Sequence, residues 1–436
     1  MNREILSLAI PSIITNITTP LLALMDVAIV GHMGDASYIA AIAVGGTIFN
    51  MVYWLFAFLR MGTSGLSAQA HGAQDEHELN LVLSRGILVA LSASAIIILL
   101  SPLLAELSFA VMDVDSNVKD MAERYFRILV WGAPAVLCTY TFSGWALGRK
   151  NPNAPMWVSF IINIANILVS LILVFVFRLK IEGVAFGTLS AQWLGALSFI
   201  LIIHRKYHPA MPSFGRIIQK GALKRFFSVN ADIFLRTCCL IAVTVWFTRV
   251  GSQQGTVVLA VNTLLMQFFI LFSYFMDGFA FAGESLCGNC LGARDKKRLD
   301  NSIRAMLWWG TGVSAIFTVL YFTCGERIMT LLSGDTEVIE ASKEYFHWVI
   351  LIPIVGFAAF TWDGVYIGIT RTREMLLSMA IATAIYFILY FVLFPHMGND
   401  GLWIAFLSYL LSRGIILHLA SKRASRDIFL LLSAKP

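Results

Sequence analysis

An apolar stretch near the start of the chain, Thr18-Thr-Pro-Leu-Leu-Ala-Leu-Met-Asp-Val-Ala-Ile-Val30, contains one charged residue, Asp26. The stretch ends an apolar run over residues 5–31. At ~1.5 Å per residue, a helix of this length crosses the ~30 Å hydrocarbon core of a bilayer. A signal peptide has a shorter apolar region and a cleavage site, so the run is interpreted as a retained membrane-spanning helix.

The composition of the whole chain also favours a membrane environment. Of its 436 residues, 58% are hydrophobic and 13% are charged, about half the ~25% charge of soluble proteins. The net charge of +6 does not favour a nucleic-acid partner. The pattern predicts an all-α integral membrane protein with twelve spans, numbered 1 to 12 in chain order. Their predicted limits are 5–31, 40–66, 84–107, 124–147, 155–177, 183–204, 226–249, 257–285, 304–324, 344–369, 375–394 and 401–419.

The distribution of basic residues predicts the orientation of these spans. If both termini and the even-to-odd connections lie on one side, that side carries about two thirds of the 32 lysines and arginines. The longest basic connection runs from Arg205 to Arg225, between spans 6 and 7. Because basic loops stay in the cytoplasm, both termini are predicted to be cytoplasmic.

Short motifs recur in the two halves of the chain at a spacing of 220 residues. Gly72-Ala-Gln-Asp75 recurs as Gly292-Ala-Arg-Asp295, and Tyr125-Phe126 recurs as Tyr345-Phe346. The spacing predicts a duplication of six spans, which gives two parallel lobes with the substrate path between them. The predicted division is an N-terminal lobe, a basic cytoplasmic linker, a C-terminal lobe and a cytoplasmic tail, over residues 1–204, 205–225, 226–420 and 421–436.

Polar residues inside the first six spans are candidates for binding a substrate or a coupling ion. Asp26 is the clearest, because an ionisable group in a bilayer is costly and no basic residue lies within a turn or two of it. Burial without a cationic partner disfavours a charged carboxylate, which suits reversible protonation. Each of the others is also typical of contacts between helices. The polar residues expected to converge on Asp26 are Tyr125, Asn163, Asn166, Ser170, Thr188 and Gln192.

Charged residues nearer the cytoplasm predict a gate. Arg60 on span 2 and Asp277 on span 8 hold almost equivalent places in the two repeats, within ~3 Å of the same depth by the predicted span ends. Glu284 follows Asp277 by two turns and is the third gate candidate. In the alternative interpretation, Arg60 reaches the cytoplasmic interface and Asp277 bonds within its own lobe.

The remaining ionisable and thiol groups favour structural roles. Asp232 and Arg236 are four residues apart and are predicted to form a local ion pair, and Asp363 and Arg413 are predicted to pair with each other. The Cys-x-x-Cys motif at 287–290 has no second pair that would complete a zinc site. No metal centre and no organic cofactor are predicted.

Four long segments, in order along the chain, resemble one family of transporters. They are Asn16-Ile-Thr-Thr-Pro-Leu-Leu-Ala-Leu-Met-Asp-Val-Ala-Ile-Val-Gly-His32, Phe58-Leu-Arg-Met-Gly-Thr-Ser-Gly-Leu-Ser-Ala-Gln69, Asn230-Ala-Asp-Ile-Phe-Leu-Arg236 and Met276-Asp-Gly-Phe-Ala-Phe-Ala-Gly-Glu284. The chain resembles the DinF branch of the MATE (multidrug and toxic compound extrusion) exporters over essentially its whole length. The resemblance implies two six-helix lobes around a central cleft, and export driven by inward flow of H⁺ or Na⁺.

The resemblance also implies roles for particular residues. Asp26 matches the family's ion-coupling and substrate-linked carboxyl, and Thr188 and Tyr125 match its threonine and tyrosine on spans 6 and 4. The family's Asn-x-x-x-Asp pair falls on Asn166 and Ser170, so the second carboxylate is missing. Because sodium sites favour such ligands, H⁺ is the preferred coupling ion, with Na⁺ near Asp26, Asn166 and Thr188 as the alternative.

The predicted function is therefore secondary active export of organic compounds by alternating access, from a bacterial inner membrane and without enzymatic activity. The substrate is predicted to be an organic cation or an amphiphile, and the protein to be a monomer. One alternative is a lipid-linked oligosaccharide flippase of the same superfamily, which would need several cationic residues in its cavity. A weaker alternative is a membrane-embedded enzyme, but the sequence has no HExxH or GxSxG motif.

Overall fold

The computed structural model describes residues 1–31, 36–112, 116–210 and 212–433, so His32 lies outside the described residues. Within these ranges the chain is helical apart from short connections, and none of these residues lies in a β-strand. Twelve helical segments among them are long and apolar enough to cross a membrane, which confirms the predicted number of spans. Spans 1 to 12 are Asn2–Gly31, Ser37–Gly72, Glu76–Leu99, Val118–Gly148, Asn153–Val176, Lys180–Tyr207, Lys220–Gln253, Thr256–Gly292, Lys296–Leu332, Thr336–Gly368, Thr372–Met397 and Asn399–Ser421.

Three spans contain more than one helix, and two further helices lie between spans. The helices of spans 2, 4 and 5 are Ala36–Leu55, Phe58–Gly72, Ser116–Leu129, Val130–Gly132, Ala133–Gly148, Asn153–Leu171 and Ile172–Val176. Of these, Val130–Gly132 is a 3-10 turn and Ile172–Val176 is a π-helical turn. The helices between spans are Ser101–Met112 and Phe214–Ile217. The helix of span 12 continues to Ser433, through most of the predicted tail.

The predicted position of span 3 was wrong by about two turns, because the span ends at Leu99. A new helix begins at Ser101, and the next residue, Pro102, has no N–H group with which to continue the first helix. Both helices are apolar, so hydropathy alone placed the predicted span across the break.

The repeated Gly-Ala-x-Asp motif forms the same turn in both halves. Its third residue, Gln74 or Arg294, has a left-handed backbone with φ of 57° or 56°. The aspartate then caps the next helix, since Asp75 and Asp295 each accept a hydrogen bond at 2.9 Å from the backbone N–H three residues later. The motif recurs because each repeat needs this sharp reversal between two spans.

The chain divides into two compact units, each with its own apolar core. One unit comprises Met1–Ile13 with Ala231–Pro436, and the other comprises Ile14–Asn230. Span 1 therefore contributes to both units. The lobe limits at 204 and 226 stay a prediction, and the predicted linker overlaps the end of span 6 and the start of span 7.

Candidate ion-coupling site

Asp26 lies five residues before the end of span 1, and only 3% of its surface is exposed. Each carboxylate oxygen accepts one hydrogen bond: Asn166 Nδ2 donates to Oδ1 at 3.0 Å, and Thr188 Oγ1 donates to Oδ2 at 3.0 Å. Asn166 Nδ2 also donates to Thr188 Oγ1 at 2.9 Å. The three side chains, from spans 1, 5 and 6, close a triangle of hydrogen bonds.

Close packing between spans 5 and 6 sets the positions of Asn166 and Thr188. Gly187, next to Thr188, faces the backbone of Ser170 so closely that a Cβ atom at 187 would stand 2.9 Å from its Cα. Small residues allow helices in a bilayer to approach in this way. Directly after this contact span 5 changes to the π-helical turn Ile172–Val176, a feature often found at functional sites.

Two further predicted residues lie beside the triangle. Tyr125 is buried and lies close enough to both Thr188 and Asp26 to interact with them. Its ring packs on Gly45, where a Cβ atom would stand 2.7 Å from Tyr125 Cδ1. Ser170 is fully buried, and its hydroxyl has no hydrogen-bond partner among the described residues. Ser170 occupies the position at which the family that the chain resembles has its second carboxylate.

Asn163 and Gln192 do not join the triangle. Asn163 Nδ2 donates to the carbonyl oxygen of Ser159, one turn earlier in its own helix, at 2.9 Å. Gln192 packs its Oε1 against Gly132 in span 4. Within the described part of the chain, each of these two amides keeps one buried oxygen without a hydrogen-bond partner.

Asp26 has two hydrogen-bond donors around it, and neither of them is charged. Asn166 presents an N–H group to the carboxylate and Thr188 presents its O–H group, so both partners are uncharged donors. A sodium ion needs oxygen ligands instead. Its binding here would require the Asn166 amide to turn over, so that its buried Oδ1 replaced the N–H group.

Arg60 and Asp277 lie further from the C-terminal ends of their helices than the sequence predicted. Spans 2 and 8 end at Gly72 and Gly292, about two turns beyond the predicted ends at 66 and 285, which were wrong. Arg60 and Asp277 lie twelve and fifteen residues from these ends, a difference in depth of ~4.5 Å at ~1.5 Å per residue. The span ends were missed because polar helical turns extend past the apolar run.

Arg60 and Asp277 each have contacts within their own compact unit. Arg60 interacts with Tyr140, and Asp277 interacts with Tyr274 and with a buried arginine of span 12. Glu284 is buried, with 1% of its surface exposed. Their role in a gate stays a prediction.

A buried charge cluster in the C-terminal spans was only partly predicted. Asp363 Oδ2 accepts a hydrogen bond from Arg413 Nη2 at 2.6 Å, which confirms the predicted pair, and a second one from Arg236 Nη2. The predicted pair of Asp232 with Arg236 is wrong, because Arg236 turns to span 10 and Asp232 accepts from Thr372 Oγ1 at 2.8 Å. The three clustered side chains are buried and together carry one excess positive charge.

Comparison with known proteins identifies the class of transporter. The MatE family profile matches residues 11–172 and again residues 231–392. The two matches are offset by 220 residues at both ends, which agrees with the spacing of the repeated motifs. The chain belongs to this family, the MATE transporters, which places it among transporters and not among enzymes.

Individual relatives extend over nearly the whole chain. It is 34% identical to DNA damage-inducible protein F of Escherichia coli (strain K12), over 98% of this chain and 93% of that protein, which confirms the DinF branch. It is 23% identical to the multidrug resistance protein MdtK of Edwardsiella ictaluri (strain 93-146), over 98% and 96%. The solved structure of a multidrug resistance MATE transporter in an outward-facing conformation shares the fold, with a TM-score of 0.87 at 17% identity over 98% of this chain and 96% of that chain.

Proposed function

We propose that the protein is a proton-coupled exporter of organic compounds, and that Asp26 carries the coupled proton. The hydrogen-bond triangle of Asp26, Asn166 and Thr188 is the observation that supports this most directly. It holds a carboxyl group in a buried site with two uncharged partners. Such a group can take up or release a proton without breaking an ion pair.

The triangle also indicates how protonation would change the site. An ionised Asp26 only accepts hydrogen bonds, and both partners donate to it. A protonated Asp26 must donate its O–H, and Thr188 is the partner that can accept as well as donate. The Thr188 hydroxyl then has to direct its own proton elsewhere, and Tyr125 is the neighbouring hydroxyl group.

Protonation therefore weakens the connection between span 1 and spans 5 and 6. A hydrogen bond to a charged group contributes ~1.5–3 kcal/mol and a neutral one ~0.5–1.5 kcal/mol, so each bond loses about 1 kcal/mol. Two bonds together change the balance between two conformations by a factor of ten or more, since ~1.4 kcal/mol corresponds to tenfold. Uptake of a proton from outside and its release inside would bias the exporter between its two orientations.

The chemistry of the site favours an organic cation or an amphiphile as the exported compound. Its charged group is a carboxylate, and the buried oxygens of Asn166 and Ser170 are acceptors for N–H groups. The related MdtK is named a multidrug resistance protein. The excess of lysine and arginine on one side supports an inner-membrane orientation with both termini in the cytoplasm.

Purified protein in liposomes tests the proposal when the H⁺ and Na⁺ gradients are imposed separately. A fluorescent organic cation serves as the probe. We expect a pH gradient alone to drive its transport and a Na⁺ gradient alone to leave it at the background level. Transport that requires Na⁺ and ignores the pH gradient would contradict proton coupling.

A further inference from the structure

A buried arginine of span 3 holds the connection between spans 6 and 7. Arg85 is 2% exposed. Its Nε and Nη2 atoms donate to the carbonyl oxygens of Ile217 and Arg216 at 3.2 and 3.4 Å, and its Nη1 atom donates to Glu78 Oε1 at 2.9 Å. The two carbonyl groups end the short helix Phe214–Ile217, and the last carbonyl groups of a helix have no partner within it. Arg85 therefore caps this helix and fixes it to the N-terminal repeat.

The contact with Arg85 places the short helix at the level of the lipid headgroups. Long side chains of a helix point towards its N-terminus, and Arg85 bonds back to Glu78, two turns nearer the start of span 3. The polar first turn of the span, Glu76–Glu78, gives way to the apolar run at this point. The boundary between polar and apolar sequence marks the edge of the hydrocarbon core. The end of the short helix therefore lies beside that edge.

Two apolar side chains of the short helix and its C-cap face away from the protein. Phe214 is 66% exposed, and Ile218 is 42% exposed. Side chains four residues apart lie on the same face of a helix. Aromatic and aliphatic side chains on one face of an interfacial helix are stable between the headgroups and the acyl chains. This face is therefore suited to contact with lipid.

Exposed basic residues flank the short helix, two before it and two after it. They are Arg205, Lys206, Lys220 and Lys224. No aspartate or glutamate occurs in the sequence over residues 183–231. None of the four basic side chains forms an ion pair with an acidic residue in the part of the chain that the structure describes. We call these four residues, together with Phe214 and Ile218, the linker patch.

We propose that the linker patch binds anionic phospholipids of the cytoplasmic leaflet, the leaflet at which the predicted orientation places this connection. Phe214 and Ile218 insert between the headgroups, and the four basic side chains contact the phosphate groups. Clusters of basic residues directly beside a membrane span attract anionic lipids, but the attraction falls off within a Debye length of ~8 Å. Arg85 keeps the basic residues within this distance, because it holds the connection at the level of the headgroups.

A second basic connection of the chain lacks this excess of charge. Residues 293–300, after span 8, contain four basic residues and also Asp295 and Asp300. Arg298 of this segment forms an ion pair with Glu4 at 3.0 Å. Most of its positive charge is therefore neutralised within the protein, so a preference for anionic lipid is expected at the linker patch and not at residues 293–300.

Fluorescence quenching tests the proposal at the linker patch itself. Gln219, an exposed residue between the short helix and span 7, is replaced by cysteine in a background without the six native cysteines and is labelled with bimane. The protein is reconstituted in phosphatidylcholine vesicles that contain nitroxide-labelled phosphatidylglycerol or, in parallel, nitroxide-labelled phosphatidylcholine. The nitroxide quenches bimane only at short range. The ratio of the two quenching constants therefore measures the local preference for anionic lipid.

We expect the protein with both lysines to prefer phosphatidylglycerol by about tenfold or more, because each basic residue near an anionic surface contributes about fivefold. Lys220→Gln combined with Lys224→Gln is expected to lower the preference to about threefold or less. The matched control, Arg294→Gln combined with Lys297→Gln, removes the same charge and is expected to keep the preference within about twofold. Equal quenching by the two lipids before any lysine is replaced overturns the proposal, and so does an equal loss in both double variants.

A third variant tests whether the connection must be held at the headgroups. Arg85→Lys keeps the positive charge but cannot donate to three acceptors in the planar arrangement of a guanidinium. We expect it to reduce the preference for phosphatidylglycerol by about threefold or more, although the linker patch keeps all its charges. An unchanged preference in Arg85→Lys overturns the role assigned to that arginine.

A change of buffer separates lipid binding from the binding of soluble phosphate. Replacing chloride by inorganic phosphate at equal ionic strength is expected to leave the lipid preference unchanged. Loss of the preference in phosphate overturns the proposal in favour of a site for soluble anions. None of these measurements involves transport, so their failure would leave the proposed export function standing, and the failure of that function would leave the lipid site standing.

Discussion

Replacing Thr188 by valine removes one hydroxyl group and almost preserves the shape of the side chain. In the structure that hydroxyl donates to Asp26 Oδ2 at 3.0 Å and accepts from Asn166 Nδ2 at 2.9 Å. The variant therefore leaves one carboxylate oxygen without a donor and one amide hydrogen without an acceptor. Asn166 still donates to the other carboxylate oxygen, so Asp26 keeps half of its hydrogen bonds.

The lost bond stabilises the ionised form of Asp26 specifically. A hydrogen bond to a charged group contributes ~1.5–3 kcal/mol. Protonated Asp26 also bonds to Thr188, through a neutral bond of ~0.5–1.5 kcal/mol, so the variant removes a difference of about 1 kcal/mol between the two forms. Since ~1.36 kcal/mol corresponds to one pH unit in a protonation equilibrium, this difference corresponds to about 0.7 unit. The protonated form gains, so releasing the proton requires a higher pH. We therefore expect the pH midpoint of transport to rise by about 0.7 unit in Thr188→Val.

The assay is transport of a fluorescent organic cation into or out of liposomes over a series of internal pH values. Thr188→Ser is the matched control, because it keeps the hydroxyl and loses only a methyl group. Its midpoint is expected to stay within about 0.2 unit of the parent value, because the hydrogen bond is kept. The reasoning is refuted if Thr188→Val keeps the parent midpoint, or if serine and valine shift it equally.

Two further predictions concern charged residues outside the triangle. If Arg60 and Asp277 form the predicted gate, Arg60→Asp and Asp277→Arg should each impair transport. The double variant should then recover part of the transport activity. A double variant no better than either single variant removes the support for this pair. Asp363→Asn should lower the free energy of unfolding by about 3–5 kcal/mol, because two buried arginines lose their shared counter-charge. Asp232→Asn, which alters one hydrogen bond to a threonine, should change the free energy of unfolding by less than about 1 kcal/mol. Equal melting temperatures for Asp363→Asn and Asp232→Asn in detergent would contradict the role assigned to the charge cluster.

The number of spans was predictable because apolar length alone decides whether a helix can cross a bilayer. Helix ends were less predictable, since they depend on features outside the apolar run. Spans 3 and 9 begin directly after the capping residues Asp75 and Asp295, which lie in polar stretches of the sequence outside the apolar runs. Pro102 separates two apolar helices that hydropathy merged.

The residues of the triangle were predictable, but their contact was not. Asp26, Asn166 and Thr188 stood out as polar groups at similar depth, and their motifs resembled those of a known family. The rotation of each helix about its axis depends on packing, such as the backbone contact of Gly187 with Ser170, which no spacing reveals. The wrong pairing of Arg236 has the same cause. Asp232 lies four residues away in the sequence and suggested a local pair, whereas sequence spacing gives no indication that Arg236 bonds to Asp363 on span 10.

The exchange of helix starts between the two compact units shows the same limit at a larger scale. The repeat spacing identified spans 1 and 7 as equivalent elements. The repeat spacing does not predict which unit the first turns of each helix pack against, because both helix starts are ordinary apolar or basic segments. Only the burial of residues such as Ile5 and Phe226 reveals that exchange.

Proton movement measured alongside export tests the central claim most directly, that Asp26 carries the coupled proton. Liposomes containing the purified protein and an internal pH-sensitive dye report the proton flow that accompanies uphill transport of the organic cation. Asp26→Asn keeps the size of the side chain and, like a protonated carboxyl group, offers one accepting oxygen and one donor, but it cannot release a proton. The account predicts that this variant inserts and folds normally while both uphill transport and coupled proton flow are lost. Uphill export by Asp26→Asn, with proton flow equal to that of the parent protein, would contradict it.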